Sequence, residues 1–469
     1  MKRRLRVYKK TVSIVNETAT GMYESLVGDK KGFLLESYDK NYDRYTFFGK
    51  EPEEIISSRG NALVITKNDG TQEVRNGNPL ERLKEYYSEF DIVKDNEELS
   101  FSGGLVGNLG YDFVRYAEVL PDNNPDEIGI ETVQMMLMTK FIMVDHVEET
   151  LTGIILGEDT PEGREKSLEE AEELIRQALA NKGRAPEKNF THDGVIVNQS
   201  DSLEQYSQKV EKIKEYIREG HIFQTVLSQR WTIETKQSGF ELYKELRELN
   251  PSPYLYYFNY GDFEVIGSSP EMIVKQQGNR VYTCPIAGTR KRGADAEEDA
   301  LLRDELLQDE KERAEHVMLV DLARNDMGRI SEFGTVKVTQ FMEVQNYSHV
   351  MHIVSMVEGR KKGEFHPLDL VSSFLPAGTL SGAPKIRAME IIDELESVRR
   401  GLYGGATGYI DFSGDMDFCI TIRTMIKKGK RVYLQAGAGI VADSIPENEY
   451  QECCNKVMAL AKTLMHYIH

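Results

Sequence analysis

Cysteine is scarce in this chain, and its placement argues against two common uses of the residue. The four cysteines are Cys284, Cys419, Cys453 and Cys454, and no pair of them has the spacing of a metal site. The adjacent pair is poorly placed to form a disulfide with itself, and a chain of this length needs no disulfide to hold a core together. This usage is typical of a reduced protein, so we expect an intracellular, cytoplasmic location.

Long apolar runs and positive charge are lacking as well. No run of about 18 apolar residues occurs, so no membrane-crossing helix is expected. The basic start, residues 1–6, is not followed by the apolar region that an export signal carries. Lysine and arginine number 58 against 77 acidic residues, and the resulting net charge of −19 argues against nucleic acid as a partner. An anionic substrate must therefore be held by a local group of donors.

The chain divides into a region with few motifs and a region with many. Its 469 residues can bury a large core, whether as one domain or two. Residues 158–200 are interpreted as a connector, because a break containing glycine and proline is followed by a charged helical stretch and a second such break. We therefore expect an N-terminal region, 1–190, and a second region, 195–469, packed together as one globular unit.

Periodicity in the second region predicts a mixed α/β chain with many antiparallel connections. Ser202 is expected to cap a helix that Gly220 ends, and a strand containing Gln224 follows. Further strands are expected near 254–258, 281–286, 335–342, 350–357 and 431–436, and helices around 311–323, 384–396 and 447–465. The helix around 311–323 is expected to bury three apolar side chains, Val317, Met318 and Leu322.

Three glycine-containing stretches could present backbone groups to an anion. Gly288 and Thr289 form a corner after an apolar run, which could bind a carboxylate or could be an ordinary strand-to-loop turn. A Gly-Ala-Gly loop at 437–439 would let the backbone approach a ligand closely. Ser381 is expected to cap the next helix and leave its first N–H groups near an anion. The run 378–385 does not match the P-loop pattern, which argues against a nucleotide there.

Several charged residues have two interpretations each. Glu449, Glu452 and Lys456 would share one helix face, which alone is typical of a solvated charged stripe. An arginine in a strand, such as Arg423, is usually a surface charge or part of an ion pair, yet its planar fork can grip a carboxylate. Glu271 is either a loop carboxylate or a general acid, provided that its surroundings keep it protonated at neutral pH.

His349 and His352 would share a face of a helix and suggest a metal pair. The β-branched residues around them favour a strand instead, in which their side chains point to opposite faces. At most one of the two is therefore expected in a site.

Six further motifs occur in a fixed order, one before the 285–290 corner and five after it. Together they carry a family resemblance. They are GSSPE (267–271), KERAEH (311–316), DLARND (321–326), YSHVMH (347–352), GTLSGAPK (378–385) and QAGAGIVADS (435–444). Over roughly residues 200–460 the chain resembles the chorismate-utilising enzymes and, within them, the large (aminase) subunits of anthranilate synthases. The resemblance implies an α+β fold, a large mixed sheet–helix sandwich of two related halves.

The resemblance also implies a Mg²⁺ site. Its ligands would be Glu315 and Glu452, with Glu449 and Lys456 beside them, and the ion would hold the ring carboxylate of the substrate. Two carboxylates from separate helices suit Mg²⁺, because this ion takes few protein oxygens and completes its shell with water and substrate oxygens.

Two further sets of residues are implied by the resemblance. Those that contact substrate are Gly288, Thr289, Tyr403, Arg423, Gly437, Ala438, Gly439 and Lys456, of which Tyr403 and Arg423 bind the enolpyruvyl carboxylate. The catalytic residues are Gln224, Glu271, His352 and Thr379. Glu271 would assist loss of the C4 hydroxyl group and His352 would act in a later elimination, whereas His349 is expected to be structural.

The residues at two positions distinguish between the relatives. Isochorismate and salicylate synthases place a lysine base where this chain has Gln224, since water must lose a proton to become a useful nucleophile. Aminodeoxychorismate synthases carry a lysine that forms a covalent adduct where Ala287 stands here. Gln224 and Ala287 therefore indicate direct amination of chorismate by ammonia to 2-amino-2-deoxyisochorismate, followed by pyruvate elimination to anthranilate, the first step of tryptophan biosynthesis. An aminodeoxyisochorismate or aminodeoxychorismate synthase, or an inactive effector-sensing scaffold of the same fold, stays open as an alternative.

A partner that supplies ammonia is also expected. No cysteine lies in the Gly-x-Cys-x-Gly elbow that glutamine amidotransferases use. The resemblance therefore implies a separate glutaminase subunit, component II, and free ammonium should support turnover without it.

Two short segments resemble the tryptophan-binding elements of feedback-regulated anthranilate synthases. They are LLES at 34–37 and NPSPY at 250–254. The residues implied to bind L-tryptophan as an inhibitor are Glu36, Ser37, Pro253, Tyr254 and Leu255. Glu36 can pair with an α-ammonium group, and Ser37 can donate or accept a hydrogen bond. Leu255 stands where methionine is common, a small change in an apolar pocket.

Overall fold

The computed structural model describes residues 2–15, 17–37, 44–94, 99–180, 190–347, 350–363 and 365–465. Its strands, in chain order, are β1 (Arg3–Ser13), β2 (Gly32–Glu36), β3 (Tyr45–Lys50), β4 (Glu54–Ser58), β5 (Ala62–Lys67), β6 (Gln72–Asn76), β7 (Phe90–Val93), β8 (Gly104–Leu109), β9 (Val133–Met138), β10 (Lys140–Asp145), β11 (Thr150–Glu158), β12 (Val195–Gln199), β13 (Gln224–Glu234), β14 (Tyr254–Asn259), β15 (Glu264–Ser269), β16 (Met272–Gln277), β17 (Arg280–Thr283), β18 (Ile286–Lys291), β19 (Lys337–Asn346), β20 (Val350–Arg360), β21 (Gly382–Ala383), β22 (Ala406–Asp411), β23 (Met416–Ile420), β24 (Thr424–Lys428) and β25 (Arg431–Ile440). Its α-helices are α1 (Ala19–Leu26), α2 (Pro79–Tyr87), α3 (Pro161–Ala178), α4 (Leu203–Arg218), α5 (Gly239–Leu249), α6 (Ala296–Gln308), α7 (Glu310–Ile330), α8 (Pro367–Phe374), α9 (Lys385–Leu395) and α10 (Pro446–Ala461), and short 3₁₀ turns occupy Tyr111–Tyr116 and Gly378–Leu380.

The strands form two large sheets. Sheet A has 13 strands, in the spatial order β12, β13, β25, β24, β15, β14, β2, β3, β10, β11, β1 and β7, with β21 beside β13. Sheet B has 12 strands, in the order β18, β20, β17, β16, β23, β22, β8, β9, β4, β5 and β6, with β19 beside β20. Both sheets contain strands from either side of residue 190. The assignment of separate roles to regions 1–190 and 195–469 stays a prediction.

A buried cluster rich in aromatic residues joins the two sheets. It includes Phe33, Phe141, Tyr256 and Phe258 from sheet A and Met136 and Met138 from sheet B. Since successive side chains of a strand point to opposite faces, their neighbours Leu34 and Tyr257 belong to a second cluster, which packs sheet A against helices. A third cluster packs sheet B against α2, α7 and α8. The predicted α+β fold, a sheet–helix sandwich of two related halves, is confirmed.

Helix α4 shows how local sequence begins and ends an element. Ser202 and Gln205 form a capping box, in which each side chain accepts a hydrogen bond from the other's backbone N–H. The helix buries Tyr206 and Val210, and Gly220 follows it with a positive φ of 80°. Both predicted ends of this helix are confirmed.

The helix predicted inside 158–200 is confirmed as α3, but its interpretation as a connector is wrong, because α3 buries Ala171 and Ile175 in the cluster beneath sheet A. In α7 the predicted buried face is misplaced: Val317 is 41 % exposed, whereas His316 and Leu319 are buried.

Within the described residues, no helix combines the length and the apolar character needed to span a membrane.

Candidate active site

Glu271 lies between β15 and β16 and is buried, with 8 % of its surface exposed. The hydroxyl of Thr379, in the 3₁₀ turn at 378–380, donates to its carboxyl group over 3.1 Å. Burial raises the pKa of Glu271 to about 8, although hydrogen bonds from Thr379 and the Ile286 backbone and the charge of Lys456 act in the opposite direction. The carboxyl group is therefore protonated at neutral pH, which is the condition for a general acid.

His352 lies on β20, as the strand interpretation predicts. Its Nδ1 atom is 2.9 Å from the carbonyl oxygen of Gly288 and 3.1 Å from the hydroxyl of Thr289. A carbonyl oxygen only accepts, so Nδ1 carries the proton and Nε2 keeps its lone pair. Burial lowers the pKa of His352, so the imidazole is neutral at neutral pH. His349 lies outside the described residues.

The predicted corner at 285–290 is part of strand β18. The register between β18 and β20 shifts between Ala287 and Thr289, and Gly288 has a φ of +67°. A β-bulge with a glycine at the left-handed position is a common way to accommodate one extra residue. The corner thus joins Gly288, Thr289 and His352 in one place.

Arg423 stands between β23 and β24 with an unusual positive φ of 51°. Burial lowers the pKa of its guanidinium, and the charges that act on it include Tyr403 and Glu452. Within the described part of the chain, no carboxylate forms an ion pair with Arg423. A largely buried guanidinium with no ion-pair partner among the described residues is suited to bind the carboxylate of a ligand.

The Gly-Ala-Gly stretch was expected as a loop, and this prediction is wrong. Gly437, Ala438 and Gly439 lie inside β25, which pairs with β13 along this stretch. At Gly437 a Cβ atom would come within 2.9 Å of Val226 and 3.1 Å of the Tyr403 hydroxyl, whereas at Gly439 it would meet nothing within 4 Å. Pairing with β13 occupies one edge of this stretch, whereas the pairing of β25 with β24 ends at Leu434. The glycines provide close packing at Gly437 and open space at Gly439.

Two helices bring the predicted metal ligands together. Glu315 lies on α7 and Glu452 on α10, and Glu452 forms an ion pair with Lys456 at 2.6 Å. Lys456 also donates to the carbonyl of Gly437 at 2.8 Å. The pKa of Glu315 is raised by desolvation and then by the negative charges of Glu312 and Glu452.

Glu449, one helical turn before Glu452 on α10, belongs to the same carboxylate group. Desolvation raises its pKa, and the charge of Glu452 adds to the effect. Among the described residues, no group of three or more His, Cys, Asp or Glu side chains forms a metal cage.

Gln224 begins strand β13 and is buried beside the motif at 378–385. It pairs with Ala383, and Thr225 pairs with Gly382, so β21 anchors this segment to β13. The prediction that Ser381 caps the next helix is wrong: Pro384 precedes α9 and makes no side-chain cap, and Ser381 donates to the carbonyl of Ala377. Helix α9 therefore lacks the predicted cap.

All five predicted tryptophan-binding residues line one cavity of 1180 Å³. Strands β2 and β14 pair so that Glu36 stands opposite Leu255. The Glu36 carboxylate accepts hydrogen bonds from Tyr243 and, at 3.0 Å, from Arg247. Among the described residues, the hydroxyl oxygen of Ser37 is buried without a hydrogen-bond partner. This cavity therefore offers an apolar wall together with a charged and an unpaired polar group.

Sequence reasoning assigned no role to Tyr347, which connects this cavity with the catalytic residues. Its ring packs edge-on against His352 with centroids 5.3 Å apart, and it lines the cavity. Ile286 lines the same cavity and hydrogen-bonds Glu271 through its backbone. Tyr347 belongs to a motif that carries the resemblance, which was the one available signal, but its contact with the cavity depends on packing between distant strands.

Comparisons with known proteins agree with this geometry. The family model described as chorismate binding enzyme matches residues 33–462. Anthranilate synthase component 1 of Acetivibrio thermocellus is 44 % identical over 458 residues, covering 96 % of this chain and 93 % of its own. The corresponding protein of Bacillus subtilis is 42 % identical over 448 residues, with coverage of 92 % and 87 %.

Solved structures show the same relation. Anthranilate synthase component I from Streptococcus pneumoniae superposes with a TM-score of 0.78 at 40 % identity, covering 89 % of this chain and 92 % of that one. The menaquinone-specific isochorismate synthase of Escherichia coli has a TM-score of 0.73 at 17 % identity, covering 99 % and 95 %, and shows the fold alone.

Proposed function

Since this chain belongs to the chorismate binding enzyme family, and within it to the anthranilate synthase component 1 enzymes, we propose that it aminates chorismate with ammonia and then eliminates pyruvate to form anthranilate. The observation that carries this proposal is the pairing of a buried acid with a neutral base. The pKa of Glu271 is raised to about 8, while that of His352 is lowered. Groups whose pKa values are shifted in opposite directions can serve as acid and base at the same pH.

In the first stage ammonia attacks C2 of chorismate as the C4 hydroxyl group departs. The electron pair of the C2–N bond comes from ammonia, the two ring double bonds shift from C1=C2 and C5=C6 to C1=C6 and C4=C5, and the C4–O bond breaks with its electrons on oxygen. The new ammonium group on C2 loses one proton, which balances the proton given to the departing oxygen. Glu271 supplies the proton that converts the departing oxygen into water. Gln224 cannot act as a base, and ammonia needs none because it already carries a lone pair.

In the second stage pyruvate is lost. A proton leaves C2, its electrons form the aromatic ring, and the bond from C3 to the enolpyruvyl oxygen breaks. Nε2 of His352 holds the lone pair that can accept this proton, since Nδ1 donates to the carbonyl of Gly288. The departing enolate takes up a proton and becomes pyruvate.

Different residues would bind the enolpyruvyl carboxylate of the substrate and line its ring. Arg423 would grip the enolpyruvyl carboxylate, with the hydroxyl of Tyr403 beside it. Backbone groups of Gly288 and of strand β25 would line the ring, where Gly439 leaves open space.

Glu315 and Glu452 fit a Mg²⁺ ion. Desolvation raises the pKa of Glu315, and the negative charges of Glu312 and Glu452 add to this effect while Lys311 and Lys456 oppose it. A cation between Glu315 and Glu452 would stabilise both carboxylates. When bound, Mg²⁺ would supply positive charge between these carboxylates and the ring carboxylate of the substrate. Glu449 and Lys456 lie beside the pair, and Lys456 offsets part of its charge.

We further propose that a glutaminase partner supplies ammonia and that L-tryptophan inhibits. The relatives are named component 1, which supports a second component. The cavity lined by Glu36, Ser37 and Leu255 supports an amino-acid inhibitor, because Leu255 lines it with an apolar side chain and the buried Ser37 hydroxyl has no hydrogen-bond partner among the described residues. Tyr347 lines the same cavity and packs against His352, so this cavity is continuous with the wall of the catalytic site.

The test is one incubation with chorismate, Mg²⁺ and ammonium, in which anthranilate fluorescence and pyruvate release are followed together. Equal amounts of both products are expected. Consumption of chorismate without either product would show that the enzyme stops before elimination, and chromatography would then distinguish 2-amino-2-deoxyisochorismate from aminodeoxychorismate. No consumption at all would favour the inactive scaffold.

A further inference from the structure

Arg400 is none of the site residues above, yet it contacts the elements that carry two of them. Its side chain is buried, with 2 % of the residue exposed. The guanidinium donates to the carbonyl of Leu380 at 2.6 Å and to that of Val226 at 2.8 Å. Leu380 directly follows Thr379, and Val226 lies two residues after Gln224 on β13.

Glu396 holds the other side of this guanidinium. Its carboxylate accepts from Nε of Arg400 at 2.9 Å and from Nη2 at 2.7 Å. It also accepts from the backbone N–H and the hydroxyl of Ser228, both at 2.8 Å. A buried ion pair adds little net stability compared with well-packed apolar residues, because desolvation offsets the attraction. The ion pair instead fixes geometry. The planar guanidinium of Arg400 binds several acceptors at once and so holds the turn, the strand and Glu396 in one arrangement.

Two aromatic rings complete the surroundings of Arg400. The guanidinium carbon lies 4.5 Å from the ring centroid of Tyr111 and 5.7 Å from that of Tyr403. Tyr403 lies in the site, where its hydroxyl approaches Gly437. One side chain therefore contacts the turn of Thr379, the strand of Gln224 and the ring of Tyr403.

We propose that Arg400 is a positioning residue of the amination stage: it fixes the turn that carries Thr379 against the strand that carries Gln224, and so sets the hydrogen bond from Thr379 to Glu271. The inference rests on the proposed function, because Glu271 is read as the acid of that stage. Arg400 acts through Thr379 and does not touch the reacting atoms.

Loss of the Thr379–Glu271 hydrogen bond would change the pH dependence of the rate, which a general folding defect would not. The groups that face Glu271 are the Thr379 hydroxyl, the Ile286 backbone N–H, Lys456 and the Cys284 thiol. The bond from Thr379 favours the charged carboxylate and so lowers the pKa of Glu271. Loss of that bond raises this pKa, and the descending limb of the pH–rate profile, where the acid loses its proton, moves to higher pH.

The experiment compares Arg400→Lys with Arg399→Lys. Arg399 is the adjacent residue, and its guanidinium bonds the carbonyl of Asn124 and the carboxylate of Asp122, away from the site. Wild type and variants are assayed from pH 6 to 10 with chorismate, Mg²⁺ and ammonium. The fraction of ammonium present as ammonia changes with pH equally for all of them, so the pH–rate profile of each variant is compared with that of wild type.

For Arg400→Lys we expect kcat to fall about 10- to 100-fold, as small misplacements of catalytic groups do. We also expect a descending limb at higher pH, matching Thr379→Val, whereas Arg399→Lys follows wild type. Glu396→Gln, which keeps the side-chain shape, is expected to shift the limb in the same direction by less.

Three outcomes are informative against the proposal. If wild type makes anthranilate and both Arg400→Lys and Glu396→Gln keep the wild-type limb, Arg400 does not position Thr379. If neither variant is folded by circular dichroism, the pair is structural and the positioning role is rejected. If wild type itself consumes no chorismate while Arg400→Lys and Arg399→Lys are folded, the proposed function fails first, and the positioning role falls with it.

Discussion

Nδ1 of His352 lies 2.9 Å from the carbonyl oxygen of Gly288, the residue that the ladder between β18 and β20 skips. Because Gly288 has no partner in that ladder, its carbonyl is available to the imidazole. The bulge thereby determines the histidine tautomer, with the proton on Nδ1 and a lone pair on Nε2. A local irregularity of the backbone thus prepares a side chain as a base.

His352→Met should separate the two chemical stages. Ammonia addition does not need the imidazole, whereas elimination needs a base for the C2 proton, so chorismate should still be consumed and 2-amino-2-deoxyisochorismate should accumulate. Anthranilate formation should fall about 100-fold or more. Chromatography of the products checks this, with His349→Met as the control that keeps anthranilate formation. The reverse pattern would assign the base to His349. If neither variant changes the products, histidine is excluded as the base of the elimination.

Glu271→Gln should abolish the first displacement while making the protein more stable at high pH. The folded-state pKa of Glu271 is raised to about 8 by burial, above its ordinary value in an unfolded chain. Its contribution to stability is therefore fully present below the unfolded pKa and is lost as pH rises toward 8 and beyond. Thermal melts should show a larger gain in Tm for the variant at pH 9 than at pH 5. Accumulation of aminated intermediate by this variant would show that the acid is elsewhere.

Gly437→Ala and Gly439→Ala form a matched pair on one strand. At Gly437 the new methyl group would lie 2.9 Å from Val226, so we expect a loss of about 1–3 kcal/mol in stability together with lower activity. At Gly439 it would meet nothing within 4 Å, so the Tm should stay near wild type while the KM for chorismate rises. Denaturation curves and steady-state kinetics distinguish them. An unchanged KM in folded Gly439→Ala would remove this stretch from the substrate site.

Glu315→Gln and Glu452→Gln should each raise the Mg²⁺ concentration needed for half-maximal rate and abolish turnover at low Mg²⁺. Either change removes one of the two carboxylates implied to hold the ion. Titration of the rate with MgCl₂ measures this, and Glu447→Gln, on the same helix, is the control. Near-normal rates of either variant at low Mg²⁺ would rule out the assignment.

Ser37→Ala should relieve inhibition by L-tryptophan with little change in the uninhibited rate. Among the described residues the hydroxyl is buried in the cavity without a partner, so its removal is expected to cost the free enzyme little, whereas a bound ligand loses a hydrogen bond. Inhibition curves for wild type and variant give the comparison, and Ser413→Ala, at another part of the same cavity wall, is the control. Indifference of wild type to millimolar tryptophan would make the regulatory interpretation wrong.

Much of the fold could be read from local sequence. The ends of α4 follow from Ser202 and Gly220, and the strand around His352 follows from its β-branched neighbours. The failures share one cause. Gly437–Gly439 was read as a loop, and Val317 as buried, because local composition does not reveal which neighbours pair with a strand or cover a helix face.

The sequence by itself determined which chemical groups are present and to which family they point. The ordered motifs, Gln224 and Ala287 required no coordinates. Only the tertiary structure decided the protonation of these groups. Burial between elements distant in sequence makes Glu271 an acid, a bulge directs the proton of His352 to Nδ1, and Arg423 is left without a protein anion among the described residues. Desolvation and electrostatic neighbours are properties of packing, and no single segment of the chain carries them.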